Sequence, residues 1–203
     1  MNRSAAVIGW GKSGQGAAGA LLARDWSVRA YASRATASLS FDDVADVPVH
    51  VEEDANALAA AVLDARPDLV VVSPGIPAHH PIFAACEQAG IDLWGEVELA
   101  WRLQEEGPHA GRPWLTVTGT NGKTTTVGML GQILRASGVK AEEVGNIGTP
   151  ITRAIDSDAD VFAVELSSFQ LHTARTVRPL ASVCLNVDAD HLDWHGSVEA
   201  YAA

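Results

Sequence analysis

An α/β fold with mainly parallel sheets is the class this sequence predicts, and three observations carry it. Short apolar runs alternate with longer stretches of helical periodicity along most of the 203 residues, the mark of strand–helix–strand units. Two glycine-containing turns, at residues 9–14 and 119–122, each follow an apolar run and open a helical stretch, where parallel-sheet proteins place phosphate groups. A polar, turn-rich segment at residues 105–113 separates one round of alternation from a second.

Taken in order, residues 5–8 read as a first strand, and the glycine-rich turn after it leads into a helix over about 14–24. Residues 27–31 form a second strand. Residues 54–65 are helical, with Asp54 as a cap and Leu58 and Val62 four apart on one face. Residues 68–72 are a buried strand rich in β-branched side chains, stopped by Ser73-Pro74-Gly75. A helix over 81–88 ends at Gly90, a strand follows at 91–94, and another helix at 96–104. Beyond the linker, residues 114–118 are a strand, 123–137 a helix, and 161–165 and 181–187 further strands. The expected domains are residues 1–106 and 112–203. The chain stops at Glu199-Ala200-Tyr201-Ala202-Ala203 with no closing glycine or strand, so a truncated chain with an incomplete second domain is expected.

Lys and Arg total 14 against 25 Asp and Glu, a formal charge of −11. No basic cluster offsets this acidity, which argues against a nucleic-acid partner. The two cysteines, Cys86 and Cys184, lie far apart in apolar surroundings and read as buried thiols in a reducing compartment rather than a disulfide framework. Gly9, Gly11, Lys12 and Gln15 interrupt the apolar stretch near the N-terminus, so no signal peptide is read there. No run approaches the roughly 18 apolar residues of a membrane span. A cytoplasmic, soluble protein is expected.

Gly119-Thr120-Asn121-Gly122-Lys123-Thr124 lies between a strand and a helix, the context of a phosphate-binding loop. Its glycines let backbone N–H groups converge on phosphate oxygens, and the helix N-terminus adds partial positive charge. Lys123 is placed to reach β- and γ-phosphates, and the Thr124 hydroxyl to face Mg²⁺. The two glycines are closer together than in the general signature, and an ordinary turn before a helix is the competing reading. Glu165 ends the strong strand Val161-Phe162-Ala163-Val164-Glu165, where ligand groups collect in open parallel sheets. The run Asn186-Val187-Asp188-Ala189-Asp190-His191-Leu192-Asp193-Trp194-His195 lacks zinc spacing and suits either an oxygen-rich Mg²⁺ site or a solvated acidic loop. His195, His79 and His80 read as solvent or structural histidines.

Gly9-Trp10-Gly11-Lys12-Ser13-Gly14 matches G-x-G-x-x-G after a strand, a Rossmann-like dinucleotide signature that is weak alone. The next strand ends in Tyr31-Ala32-Ser33-Arg34 with no carboxylate for a ribose. NAD is disfavoured; NADP, through Arg34, or the diphosphate of another nucleotide stays open.

Taken jointly, these motifs resemble the Mur ligases of bacterial peptidoglycan and cell-wall synthesis, a family tied to cell shape and division. Carrying the resemblance are the two glycine-rich loops with Thr125, Ser73-Pro74-Gly75-Ile76, Gly145-Asn146-Ile147-Gly148, Glu165-Leu166-Ser167-Ser168-Phe169-Gln170-Leu171, and Asn186-Val187 through Asp190-His191-Leu192-Asp193. They occur in the family's order over nearly the whole chain, and the Glu165 segment points to the branch that adds D-glutamate. The resemblance implies an ATP-dependent, carbon–nitrogen bond-forming ligase with three domains. The first is a Rossmann-like domain holding UDP-N-acetylmuramoyl-L-alanine. The second is a central P-loop ATPase domain, present here in part. The third is a C-terminal domain beyond this chain.

By position, Lys12, Ser13, Gly14, Ser33, Ser73, Asn146 and Ser167 would hold the UDP-substrate, and Gly119 through Thr125 the ATP. Thr124 and Glu165 would bind one Mg²⁺ and His191 would help bind a second, with Lys123, Glu165 and His191 as the catalytic set. ATP would phosphorylate the substrate carboxylate, and the amine of D-glutamate would attack the acyl phosphate. A monomer is expected, and this length of chain is expected to bind nucleotide without ligating. Two departures stand out. Ala32 occupies a position where the family often has an aspartate contacting uracil, which leaves Ser33 for that contact. The family's metal-bridging carbamylated lysine falls beyond Ala203. The competing functions are an NADP-dependent oxidoreductase, which leaves the second loop unexplained, and a non-catalytic nucleotide- or UDP-sugar-binding module.

Overall fold

Most apolar runs are followed by a helix that returns the chain to the same end of a sheet, and among the described residues every strand pairing is parallel. The computed structural model describes residues 3–34 and 41–202. Ala203 of the expected terminal helix lies outside the described residues, as does the side chain of Asp193. The chain divides into two compact units, Met1–Leu99 and Ala100–Ala203.

In the first unit, β1 (Ser4–Ile8), α1 (Lys12–Leu22), β2 (Ser27–Ala32), β3 (Val49–Val51), α2 (Ala55–Asp64), β4 (Leu69–Val72), α3 (Pro81–Ala89) and β5 (Asp92–Gly95) follow in order. The sheet order is β3-β2-β1-β4-β5, so the strand order reverses beside β1, the switch point at which such sheets take ligands. Ile8, Tyr31, Val70 and Val72 from the sheet pack with Leu58, Val62, Ile82 and Cys86 from the helices. The helix ends are fixed locally. The Asp54 carboxylate accepts from the backbone N–H groups of Asn56 and Ala57, and Gly90 closes α3 in the left-handed region at φ +67°.

Two features differ from expectation. β3 and a single 3-10 turn at Asp42–Val44 fall where no buried apolar run announces them; every residue of β3 is exposed. α1 starts at Lys12 rather than near residue 14, because Gly14 sits inside the helix for a packing reason given below.

The second unit takes most of α4 (Glu96–Glu105), then β6 (Trp114–Thr118), α5 (Lys123–Ala136), β7 (Ala141–Gly145), α6 (Ile151–Ala154), β8 (Val161–Glu165), α7 (Ser168–Leu171), β9 (Ala181–Cys184), α8 (Leu192–His195) and α9 (Val198–Ala202). Its sheet order is β7-β8-β6-β9. β8 is buried along its whole length. The division between units falls inside α4, ahead of the expected linker. The Gln104 side chain ties α4 to the second sheet, accepting from the Trp114 indole at 2.8 Å and donating to the Arg112 carbonyl at 3.1 Å. Trp101 packs edge-on against Trp114. Arg112 itself is buried, donating to the carbonyls of Ile155 and Ser157 with its guanidinium over the Phe162 ring. β9 ends at Cys184 instead of residue 187, because Leu185 and Asn186 turn to meet the loop after β6. Among the described residues no helix is long and apolar enough to cross a membrane.

Candidate functional site

The 119–124 loop leaves the carboxyl end of β6, and two glycines shape it. Gly119 has φ +135° and Gly122 φ +87°, conformations that suit glycine. A Cβ on Gly119 would also stand 3.0 Å from the Asn186 carbonyl oxygen and 3.1 Å from its nitrogen. That close approach exists because Asn186 clamps the loop. Its carbonyl accepts from Thr120 N–H at 3.0 Å, its Oδ1 accepts from Asn121 N–H at 2.8 Å, and its Nδ2 donates to the Asn121 carbonyl at 3.0 Å. Gly122 offers no side chain to cap α5, so the first-turn N–H groups of this helix face outward with the positive end of its dipole. Lys123 folds its ammonium over the loop, donating to the carbonyls of Gly119 at 2.7 Å and Thr120 at 3.0 Å.

Glu165, at the end of the neighbouring strand β8, is 1% exposed. Each of its oxygens has a donor: the Thr124 hydroxyl at 2.8 Å on Oε2, and Asn146 Nδ2 at 2.8 Å on Oε1. Asn146 is delivered there by Gly145, whose φ of +112° and lack of a Cβ let the chain pass against the Glu165 carbonyl. The backbone N–H of Asn146 donates to that carbonyl at 2.9 Å. Lys123, Thr124, Glu165 and Asn146 therefore form one constellation from three elements. Thr125 lies beside them, exposed on the first turn of α5.

His191 has φ +51°, its Nε2 3.5 Å from Asp190 Oδ2 and its ring 4.6 Å from that of Phe169; these contacts do not join it to Thr124 and Glu165. Among the described residues no group of three His, Cys, Asp or Glu side chains gathers tightly enough to hold a metal. Ser167 caps α7, its hydroxyl accepting from Gln170 N–H while the Gln170 carboxamide accepts from Ser167 N–H.

In the first unit, Lys12 opens α1, with Ser13 and Gly14 next in its first turn. A Cβ on Gly14 would overlap the Gly9 carbonyl, which is why a glycine stands inside the helix. The Ser73 hydroxyl donates to that same carbonyl at 2.8 Å, pinning the loop from β4. Ser33 sits exposed in the turn after β2, next to the buried Ala32. All of these residues lie at the carboxyl edge of their sheet.

The clamp role of Asn186 escapes sequence reasoning, although the residue stands in a quoted motif, because its partners are 65 positions away. His195, read as a solvent or structural histidine, has its Nε2 2.9 Å from the Ser168 hydroxyl and lines a cavity of about 360 Å³ together with Gly119, Asn186 and Tyr201. His80 does have a structural role, accepting from Ile82 N–H at the start of α3; its burial holds its pKa below the usual histidine value.

Comparison with known proteins gives the following. Residues 3–95 match the family described as Mur ligase MurD-like, N-terminal domain, and residues 117–203 the Mur ligase middle domain. A UDP-N-acetylmuramoylalanine--D-glutamate ligase of Frankia casuarinae is 49% identical over 208 residues, covering 97% of this chain and 41% of that protein. One of the same name from Mycolicibacterium vanbaalenii is 60% identical over 136 residues, covering 66% of this chain and 28% of that protein. The chain thus spans less than half the length of these curated relatives. Among solved structures, the UDP-N-acetylmuramate:L-alanyl-gamma-D-glutamyl-meso-diaminopimelate ligase from Neisseria meningitides superposes with a TM-score of 0.57 at 20% identity, over 99% of this chain and 65% of that one. At that identity the likeness speaks to the fold alone.

Proposed function

This chain belongs to the Mur ligase family, and from that premise we propose that it carries the nucleotide-binding parts of an ATP-dependent ligase that adds D-glutamate to UDP-N-acetylmuramoyl-L-alanine. The names of these two relatives support the substrate. The observation that carries the chemistry is the constellation at the end of β6, with Lys123 over the loop and Thr124 hydrogen-bonded to a buried Glu165.

In this reading the loop N–H groups and the start of α5 hold the β- and γ-phosphates, and Lys123, held over the loop by the Gly119 and Thr120 carbonyls, neutralises the charge that develops there. Thr124 Oγ1 and Glu165 Oε2 are hard oxygen donors already 2.8 Å apart, a pair that fits Mg²⁺, which takes one or two protein oxygens and completes its shell with phosphate and water. When bound, Mg²⁺ supplies charge neutralisation and alignment of the phosphates. Asn146 keeps the Glu165 carboxylate aimed at that position. The γ-phosphoryl group passes to the L-alanine carboxylate, giving ADP and an acyl phosphate. The amine of D-glutamate then attacks the acyl carbon, and phosphate leaves as the amide forms. His191 is assigned to a second metal by the family pattern alone. The loop pinned by Ser73 in the first unit, with Lys12, Ser13 and Ser33 at the same sheet edge, takes the UDP moiety. The protein works as a cytoplasmic monomer.

The test is calorimetric titration of this chain with Mg·ATP and with UDP-N-acetylmuramoyl-L-alanine, with NADPH in parallel. Saturable binding of the first two and none of NADPH is the expected result; NADPH binding without the UDP-sugar overturns the ligase reading. Because the relatives are more than twice as long, the 203 residues alone are expected to bind without ligating. D-glutamate-dependent ADP release by this chain overturns that expectation.

A further inference from the structure

Thr120 stands at the centre of the phosphate loop, and its hydroxyl is unusually well occupied. It accepts from Asp188 N–H at 2.9 Å, lies 2.8 Å from the Tyr201 hydroxyl, and is 3.4 Å from the Asp188 carbonyl. A hydroxyl has one proton and two lone pairs. With its own proton directed to the Asp188 carbonyl, Thr120 Oγ1 accepts from both Asp188 N–H and Tyr201 O–H.

The tyrosine is held in turn. Its ring meets His195 edge-on at 5.2 Å. His195 stacks on Phe169 at 17° between planes and reaches the Ser168 hydroxyl at 2.9 Å. A continuous series of contacts therefore runs from the segment just after Glu165, through α8 and α9, to the phosphate loop. Thr120 passes it on: its carbonyl is one of the two that receive the Lys123 ammonium, at 3.0 Å. A turn of Thr120 about its backbone would displace Lys123.

From this geometry we infer that Tyr201 is a positioning residue for nucleotide binding, its hydroxyl fixing Thr120 so that the loop carbonyls and Lys123 are set for the triphosphate. The inference rests on the phosphate-loop reading above. It is tested by Mg·ATP titration of this chain and of its Tyr201→Phe, Thr120→Val, Thr120→Ser and Tyr201→Phe/Thr120→Val variants, each with its unfolding midpoint.

Tyr201→Phe keeps the ring against His195 and is expected to weaken Mg·ATP about fivefold, the effect of one net hydrogen bond. The same change made in the Thr120→Val background adds nothing further. Thr120→Ser, which keeps the hydroxyl, binds as the parent does. Unchanged affinity in Tyr201→Phe while the parent binds overturns the role of Tyr201 alone. Additive losses in the double variant, or a loss that follows a lowered midpoint, also overturn it, since a general loosening would act without Thr120. A parent chain that does not bind Mg·ATP overturns the phosphate-loop reading and this inference with it.

Discussion

Burying a carboxylate is costly unless donors replace the water it loses, and Glu165 has one donor on each oxygen, from Thr124 and Asn146. Glu165→Gln puts an amide N–H₂ where an acceptor is needed, so it should weaken Mg²⁺-dependent ATP binding while leaving metal-free nucleotide binding nearly unchanged; equal effects in titrations with and without Mg²⁺ would refute the metal assignment. Lys123→Ala removes a charge-assisted contact and should cost on the order of tenfold or more in Mg·ATP affinity, read by the same titration.

The cysteines offer a pH test. Burial raises the Cys86 thiol from 9.0 to about 11, whereas Cys184, expected to be buried, lies exposed on β9, all four residues of which are exposed. At pH 8, iodoacetamide should label Cys184 and spare Cys86, as peptide mass spectrometry would report. Because an unfolded chain releases the Cys86 proton near 9.0 and the folded chain holds it until about 11, this thiol favours folding fully below pH 9. Its contribution declines as the pH rises toward 11.

At the scale of elements, the well-read ones are those whose signals are local. The cap at Asp54, the proline at the start of α3 and the glycine after it stand within a few residues of the ends they define. Asp54→Ala should destabilise the first unit by about 1 kcal/mol, measured by urea unfolding. Elements without a local signal are missed: β3 is short and exposed, and β7 is a half-buried run containing two glutamates that no apolar period marks. β9 ends early because Asn186 is drawn to the loop after β6, a pull exerted across 65 residues of sequence. Gly145 shows an element joint under the same kind of control. Gly145→Ala should both strain a φ of +112° and collide with the Glu165 carbonyl. A loss of about 2 kcal/mol or more is expected, together with weaker Mg·ATP binding, since Asn146 would shift with it.

At the scale of the molecule, each unit has its own parallel sheet and its own core. Arg112 belongs wholly to the second, bonded to the carbonyls of Ile155 and Ser157. Arg112→Ala strands those buried acceptors and should lower one calorimetric transition while leaving another in place; a uniform shift of a single transition would show that the units do not unfold separately.

Apolar periodicity and glycine-bearing turns by themselves determined the α/β class, the two rounds of alternation and both loops, because strands, helices and tight turns are specified by neighbours in sequence. They also marked Lys123, Thr124 and Glu165, which stand at strand and helix ends. What only the tertiary structure decided is who meets whom. The order β7-β8-β6-β9 brings Glu165 beside Thr124, Asn146 arrives across a glycine hinge, Asn186 clamps the loop, Tyr201 holds Thr120, and His191 meets the Phe169 ring. These pairings join residues from 19 to 81 positions apart, and their geometry comes from sheet order and close packing, which no local pattern encodes.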